Sequence, residues 1–242
     1  RKAVSEARVL VATLERDRQI RAERLRHVTA DISRWQSRRD SAATQVSTLT
    51  ERFTETRGEL QTFAELPAKI AKQHPQYFEW AASIHPYRKD CVEALRRAVQ
   101  NGARAVKWLP AAQGMNPASP LCDKFFEAMA QYQLPLITHA GEEKAVHGGD
   151  TQAFGNPLLL RRALDHGVRV AVAHCASLGK DRDLDKGTNG PYAESFELFS
   201  RLMDDAKYGP MMRGDISAIT QRNRSASVLT KILERNDWHE RL

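Results

Sequence analysis

The chain has 242 residues, of which 41% are apolar and 28% charged, and a formal net charge of +7. That length holds one large domain or two small ones, and the composition is close to that of ordinary globular proteins. No apolar run approaches the roughly 18 residues of a membrane span, and no signal-peptide pattern is visible. The three cysteines, Cys91, Cys122 and Cys175, are odd in number and lack CxxC spacing, so we expect a reduced, cytoplasmic protein.

Up to Gln73 there are 15 Lys and Arg against 10 Asp and Glu, so +5 of the +7 lies in the first third. The arginines are spread along the whole segment, which fits a solvated helical face better than a nucleic-acid site. From Arg1 to about Phe63 there is no proline, and Gly58 is the only glycine. With position a at Val4, the a series runs Val4, Val11, Arg18, Leu25, Ile32, Arg39, Val46, Phe53, Leu60. The d series runs Ala7, Leu14, Arg21, Val28, Trp35, Ala42, Leu49, Thr56, Phe63. Fourteen of these eighteen residues are apolar, and a period of 3.5 held this long predicts a coiled-coil helix over residues 1–73. Such a helix cannot bury its seam alone, so we expect a partner helix or self-association through residues 4–63. Pro67 is expected to stop or kink it, with Glu65 and Leu66 in its last turn.

The run from Arg21 to Ala71, RAERLRHVTADISRWQSRRDSAATQVSTLTERFTETRGELQTFAELPAKIA, resembles coiled-coil sequence of bacterial SMC (structural maintenance of chromosomes) proteins. That resemblance implies a spacer arm with a structural role in chromosome segregation. The ATP-binding pattern GxxxxGK[ST] is absent.

From about His74 the texture changes, and strand and helix alternate. Trp80–Ile84 reads as a strand ending at His85-Pro86, and Lys89–Gln100 as an amphipathic helix stopped by Asn101-Gly102. Ala105–Leu109 is the next strand, carrying Lys107. Ser119-Pro120 then caps a helix running through Tyr132. The strand Pro135–Thr138 delivers His139. Asn156-Pro157 caps the helix Leu158–His166, closed by Gly167. Val168–Ala173 is the strand before His174. Tyr192–Asp204 reads as helix, Met211–Ile216 as a strand carrying Asp215, and Ser225–Arg235 as the last helix. Trp238–Leu242 leads toward a further strand. We therefore expect an α/β fold with a parallel sheet over residues 74–242, joined to the heptad helix near Ala71–Pro75.

Ionisable residues recur at the carboxyl ends of these strands: His85, Lys107, His139, His174 and Asp215. That is the rim where a (β/α)8, TIM-type barrel carries its chemistry, and no glycine-rich phosphate loop follows any strand to argue for a doubly wound sheet. His139 and His174 stand at equivalent ends of consecutive strands and could converge on one divalent metal, zinc taking imidazole readily; the alternative is a pair of histidines bonding loop backbone. Lys107 could bridge metals if carbamylated, contact a substrate carboxylate, or pair with a rim acid. Asp215 could orient a water or a ligand histidine, or cap a turn. His85 could line the site or be a satisfied strand-end histidine. In the loop Ala140–Asp150, Glu142, Glu143 and His147 are candidate contacts for a small-molecule substrate, or solvated loop charge. Cys175 reads as a thiolate ligand or, more simply, as a small buried residue after a strand.

The strings ASIHPYRKD, GARAVKWLP, LPLITHAGEE, VRVAVAHCASLG, GDISA and NDWHERL occur in that order. Together they resemble the metal-dependent amidohydrolase superfamily, in the group of the amidohydrolase 2 enzymes. The resemblance covers about residues 74–242 and implies a partial TIM barrel, about strands 3–7. It also implies hydrolysis of a C–N or C–O bond, or in a minority of members decarboxylation, with His139 and His174 at the metal. The pattern departs from this family in having no HxH pair among histidines 27, 74, 85, 139, 147, 166, 174 and 239, and no aspartate from an eighth strand. Two protein ligands are fewer than catalytic zinc takes. We therefore expect a truncated or fused product whose chain is weak or inactive by itself.

Overall fold

The computed structural model describes all residues except 145–148, 223 and 225, and all side chains except those of 57, 59–64, 149 and 226 as well. The chain divides into two units, Arg1–Phe63 and Ala64–Leu242.

The first unit is helix. Helix α1 runs from Lys2 to Gln73, and every residue from 1 to 56 is exposed. The heptad seam is therefore uncovered in the single chain, with Val11, Leu25, Val28, Ile32 and Trp35 all open to solvent. The expected stop at Pro67 does not occur, because α1 continues through it. The pyrrolidine ring fixes φ near the helical value, so the cost is confined to one missing donor and local crowding, about 3 kcal/mol. Among the described residues no helix is long and apolar enough to cross a membrane.

The second unit is α/β. Strand β1 (Ala81–Ala82), helix α2 (Cys91–Gln100), β2 (Ala105–Trp108), a short α3 (Pro110–Gln113), α4 (Asp123–Gln131) and β3 (Leu136–His139) follow in order. Then come α5 (Arg161–Asp165), β4 (Val170–Ala173), β5 (Lys180–Arg182), β6 (Tyr192–Glu194), α6 (Ser195–Asp204), β7 (Met212–Gly214) and α7 (Ala226–Glu234). Strands β1, β2, β3, β4 and β7 form one parallel sheet in that spatial order. The order follows the chain without the reversal that creates the switch point of a doubly wound sheet.

Alternation along the strands explains why one face is covered. Val106, Trp108, Leu136, Thr138, Val170, Val172 and Met212 are fully buried, on the face where the helices pack. Trp108 anchors that layer: its ring stacks on Phe125 at 5.5 Å, and its indole N–H donates to the Ile84 carbonyl at 2.9 Å. The other face carries the register row Lys107, Ile137, Ala171, Arg213, none of them fully buried. The helices are amphipathic in the same sense, α2 burying Cys91, Leu95 and Ala98 at helical spacing.

The caps read from the sequence are present. Ser119 accepts from the Leu121 N–H at 3.3 Å, and Asn156 from the Leu158 N–H at 3.0 Å. One element differs from expectation in kind. Residues 192–194 are not helix but the return strand of an antiparallel β5–β6 hairpin inserted after β4. Asp181 explains the change: buried in β5, it accepts from the Ser195 hydroxyl at 2.8 Å and so pins the start of α6 beyond the hairpin. Asn236–Arg241, for which the sequence named no element, form a 3-10 segment. Its indole Trp238 is 1% exposed, packs edge-on to Phe199 and donates to Asp204 at 3.0 Å.

Candidate functional site

The parallel register brings the ends of β2, β3, β4 and β7 to one edge of the sheet. His139 is level with Ala173, one residue before His174, and the Asp215 N–H continues the β4–β7 ladder by donating to the Val172 carbonyl at 2.9 Å. The imidazoles of His139 and His174 consequently lie 6.0 Å apart, ring centre to ring centre, at 70°.

One of the two imidazoles has a nitrogen committed to a hydrogen bond. His174 directs Nδ1 at the Ser217 carbonyl oxygen, 2.6 Å away, so that nitrogen carries the proton and Nε2 is the bare one. Ser217 is held in turn by Asp215: its backbone N–H donates to Oδ1 at 2.9 Å and its hydroxyl to Oδ2 at 2.5 Å. Asp215 thus caps a turn and, through Ser217, fixes the ring of His174. His139 turns Nδ1 toward the Glu143 carboxylate at 3.7 Å, both side chains nearly buried.

The charges are strongly mutual. Burial pushes the His139 pKa down to about 4, against the attraction of Glu143 and with repulsion from His174, Lys107 and Arg224. Burial also lowers the Lys107 ammonium, with Asp215 and Glu143 opposing. For Asp215 burial acts upward, but the Ser217 hydrogen bonds and His174 outweigh it and hold the carboxyl below its usual range. Arg224 is lowered by burial and drawn up by Glu143; it donates to the Ser177 hydroxyl at 2.9 Å, while its Nε is buried without an acceptor. The edge therefore holds His139, kept neutral by burial, in electrostatic reach of Lys107, Arg224, Glu143 and His174.

The backbone beneath His174 is unusual. His174, Cys175 and Ala176 have φ of 56°, 51° and 49°, three consecutive non-glycine residues in the left-handed region. Cys175 lies under this turn with its thiol on the Asp215 carbonyl at 3.6 Å, and burial pushes that thiol up to about 12. Buried and hydrogen-bonded in this way, it fits the reading of a small packing residue after a strand.

Of the residues singled out from the sequence, Lys107, His139, Glu143, His174 and Asp215 come together. Glu142 is partly exposed and pairs with Lys144 at 3.4 Å. His85 spends both ring nitrogens on backbone, one on the Gln113 carbonyl at 3.2 Å and one on the Tyr87 N–H at 3.2 Å, leaving neither for a ligand. His147 lies outside the described residues. Two members were missed: Ser217, which stood in the quoted GDISA string, and Arg224, whose stretch has no periodic pattern to mark it.

As a metal site the set is partial. His174 can offer a bare Nε2, since carbonyl support of the other ring nitrogen is the usual arrangement of ligand histidines. Yet among the described residues no group of three or more His, Cys, Asp or Glu side chains is placed to hold an ion, where catalytic zinc takes three.

A profile of the amidohydrolase family matches residues 20–238. No curated protein sequence matches the chain significantly. Among solved structures, a probable 2-pyrone-4,6-dicarboxylic acid hydrolase from Acinetobacter baumannii is similar at 16% identity, over 67% of this chain and 52% of that one, with a TM-score of 0.45. A 2,6-dihydroxybenzoate decarboxylase from Rhizobium shares 14% identity over 48% and 44%, with a TM-score of 0.37. An uncharacterised TIM-barrel protein from Bordetella bronchiseptica shares 14% over 74% and 68%, with a TM-score of 0.43. The chain spans about half the length of the first of these.

Proposed function

The chain belongs to the amidohydrolase family, and on that premise we propose that Ala64–Leu242 carries part of the active centre of a hydrolase or lyase acting on a small molecule. Its sheet would be the middle of a (β/α)8 barrel, about strands 3–7. The observation that carries the reading is the convergence of His139 and His174, 6.0 Å apart, with Lys107, Glu143 and Asp215 in electrostatic reach. His139 and His174 are two of the ligands of a divalent ion, zinc by ligand type, and further donors are needed to complete it. Such an ion supplies Lewis acidity, polarising a carbonyl and acidifying water.

The residues of this chain do the rest. Asp215, acting through Ser217, keeps the His174 proton on Nδ1, so that Nε2 stays a lone-pair donor. Glu143 faces His139 Nδ1 at 3.7 Å and acts on it by charge. Lys107, its ammonium destabilised by burial and facing Asp215 and Glu143, is the candidate for a contact with a substrate carboxylate or for proton transfer. Arg224, with a buried N–H lacking an acceptor, fits an anionic group of the substrate. Glu142 and His147 stand on the same loop as Glu143 and would contact substrate at its rim.

Metal analysis of the purified chain after zinc loading tests the reading. His139→Ala or His174→Ala should each lower the bound zinc several-fold, with the fold checked by circular dichroism. Zinc content equal in the three proteins removes the metal assignment. A second reading, a structural coiled coil of the SMC kind, rests on the heptad pattern of α1 alone. The family match reaching back to residue 20, well inside that helix, favours the first.

A further inference from the structure

The seam of α1 leaves a large apolar stripe in water, with Leu25 68%, Ile32 52% and Trp35 69% exposed. Helix propensity sustains a helix this long poorly without a covered face. What covers it can be read from the arginines that interrupt the seam and from the charges beside it.

We infer that α1 pairs with α1 of a second copy of this chain, antiparallel, over residues 4–49, with Leu25 of each copy packed against Val28 of the other. In an antiparallel pair an a residue faces a d residue, and flanking g positions face each other. From that central layer the rest of the register follows. Arg18 falls opposite Trp35, Arg21 opposite Ile32, and Arg39 opposite Leu14. Each arginine meets an apolar or aromatic surface that its stem can cover while the guanidinium reaches water. Trp35 already takes Arg38 of its own helix over its ring at 5.8 Å, and Arg18 of the second copy would take the other side. The outer layers close with Val4 against Leu49 and Val46 against Ala7.

The g positions then pair by sign. Asp17 faces Arg38, and Arg24 faces Asp31, each twice by symmetry. Asp31 also holds Arg34 of its own helix at 2.5 Å through Oδ1, which leaves Oδ2 for Arg24 of the second copy. Other arrangements fail on the same residues. A parallel, in-register pair stacks Arg18, Arg21 and Arg39 on their own copies and brings no opposite charges together at its g–e pairs. Sliding the antiparallel pair by one heptad sets Arg24 against Arg24 in one direction and Asp31 against Asp31 in the other. The charges contribute little energy each when exposed, but they choose the register.

Sedimentation of the full chain should give a dimer at micromolar concentration. Asp31→Arg sets Arg24 against a second arginine at two places and should raise the dissociation constant at least tenfold. The double change Arg24→Asp with Asp31→Arg restores opposite signs and should bring it back to within a few-fold of the parent. Orientation is read separately from a spin label on Ser5→Cys, since the three native cysteines are buried. At roughly 1.5 Å per residue the two labels of an antiparallel dimer sit about 65 Å apart, and those of a parallel one lie side by side. A monomer at all concentrations, adjacent labels, or a double variant as weak as the single one overturns the inference.

Discussion

His139 is held neutral by its surroundings, and that ties the stability of the second unit to pH. Its folded pKa is pushed from 6.5 to about 4 by burial, so below pH 6.5 the unfolded chain takes up a proton that the folded one refuses. The contribution is whole above pH 6.5 and is lost progressively as the pH falls to 4, amounting to about 3 kcal/mol at 1.36 kcal/mol per unit. Urea midpoints measured from pH 7 to pH 4 should fall, and His139→Gln should flatten that fall. An unchanged pH dependence in the variant would mean that other groups carry it. The residue scale also marks what the sequence could yield. His139 and His174 were readable because each ends an apolar run, a pattern that fixes both burial and position. Arg224 was not, since it enters the site by a long-range fold-back that local spacing does not encode. The three left-handed residues at His174–Ala176 were equally invisible, because none is glycine.

At the scale of elements, the turn after β3 aims the site. Gly141 has φ +83°, and a Cβ there would run into the Leu178 carbonyl oxygen. Its N–H donates to the Gly155 carbonyl at 2.8 Å, and the next N–H, of Glu142, donates to Leu178 O at 2.8 Å. The loop carrying Glu143 is thus sewn to the loop after β4. Gly141→Ala adds both a strained φ and a clash, and should lower stability by about 2–3 kcal/mol. It should also release Glu143 from His139, which the His139 imidazole resonance would register as a change in its titration. A variant with parent stability and titration would show that the turn has room this geometry denies it. Elements with their own caps and periodicity, such as α2 and the β2–β4 strands, came out of the sequence nearly at their bounds. The β5–β6 hairpin did not. Its residues are charged and turn-forming, and the pairing is held by polar contacts, Asp181–Ser195, Lys180–Glu194 and Arg182 over Tyr192, that hydrophobic patterning cannot signal.

Across the whole molecule, core residues are confined to one part of the chain. Among the described residues, every buried apolar side chain lies between Ala82 and Trp238, and none lies in residues 1–56. The seven residues from Asn236 to Leu242 contain Trp238, whose ring meets Phe196 and Phe199 and lies under the Arg235 guanidinium at 4.1 Å. Arg241 adds hydrogen bonds to the Met203 and Gly209 carbonyls at 2.7 and 3.1 Å. Stability should therefore respond in inverse proportion to the length removed. Deleting residues 1–56 takes away no core side chain, and the remaining chain should keep its near-ultraviolet dichroism and its urea midpoint. Deleting Asn236–Leu242 strips a tryptophan from the core, a loss of about 3–5 kcal/mol by comparison with large-to-small substitutions. Against a typical total of about 5–15 kcal/mol, that leaves the shortened chain near its folding limit. Trp238→Ala in the full chain separates packing from chain length and should reproduce most of the loss. If the deletion of residues 1–56 proved the more damaging one, the core of the second unit would have to depend on α1 in a way its own buried residues do not require.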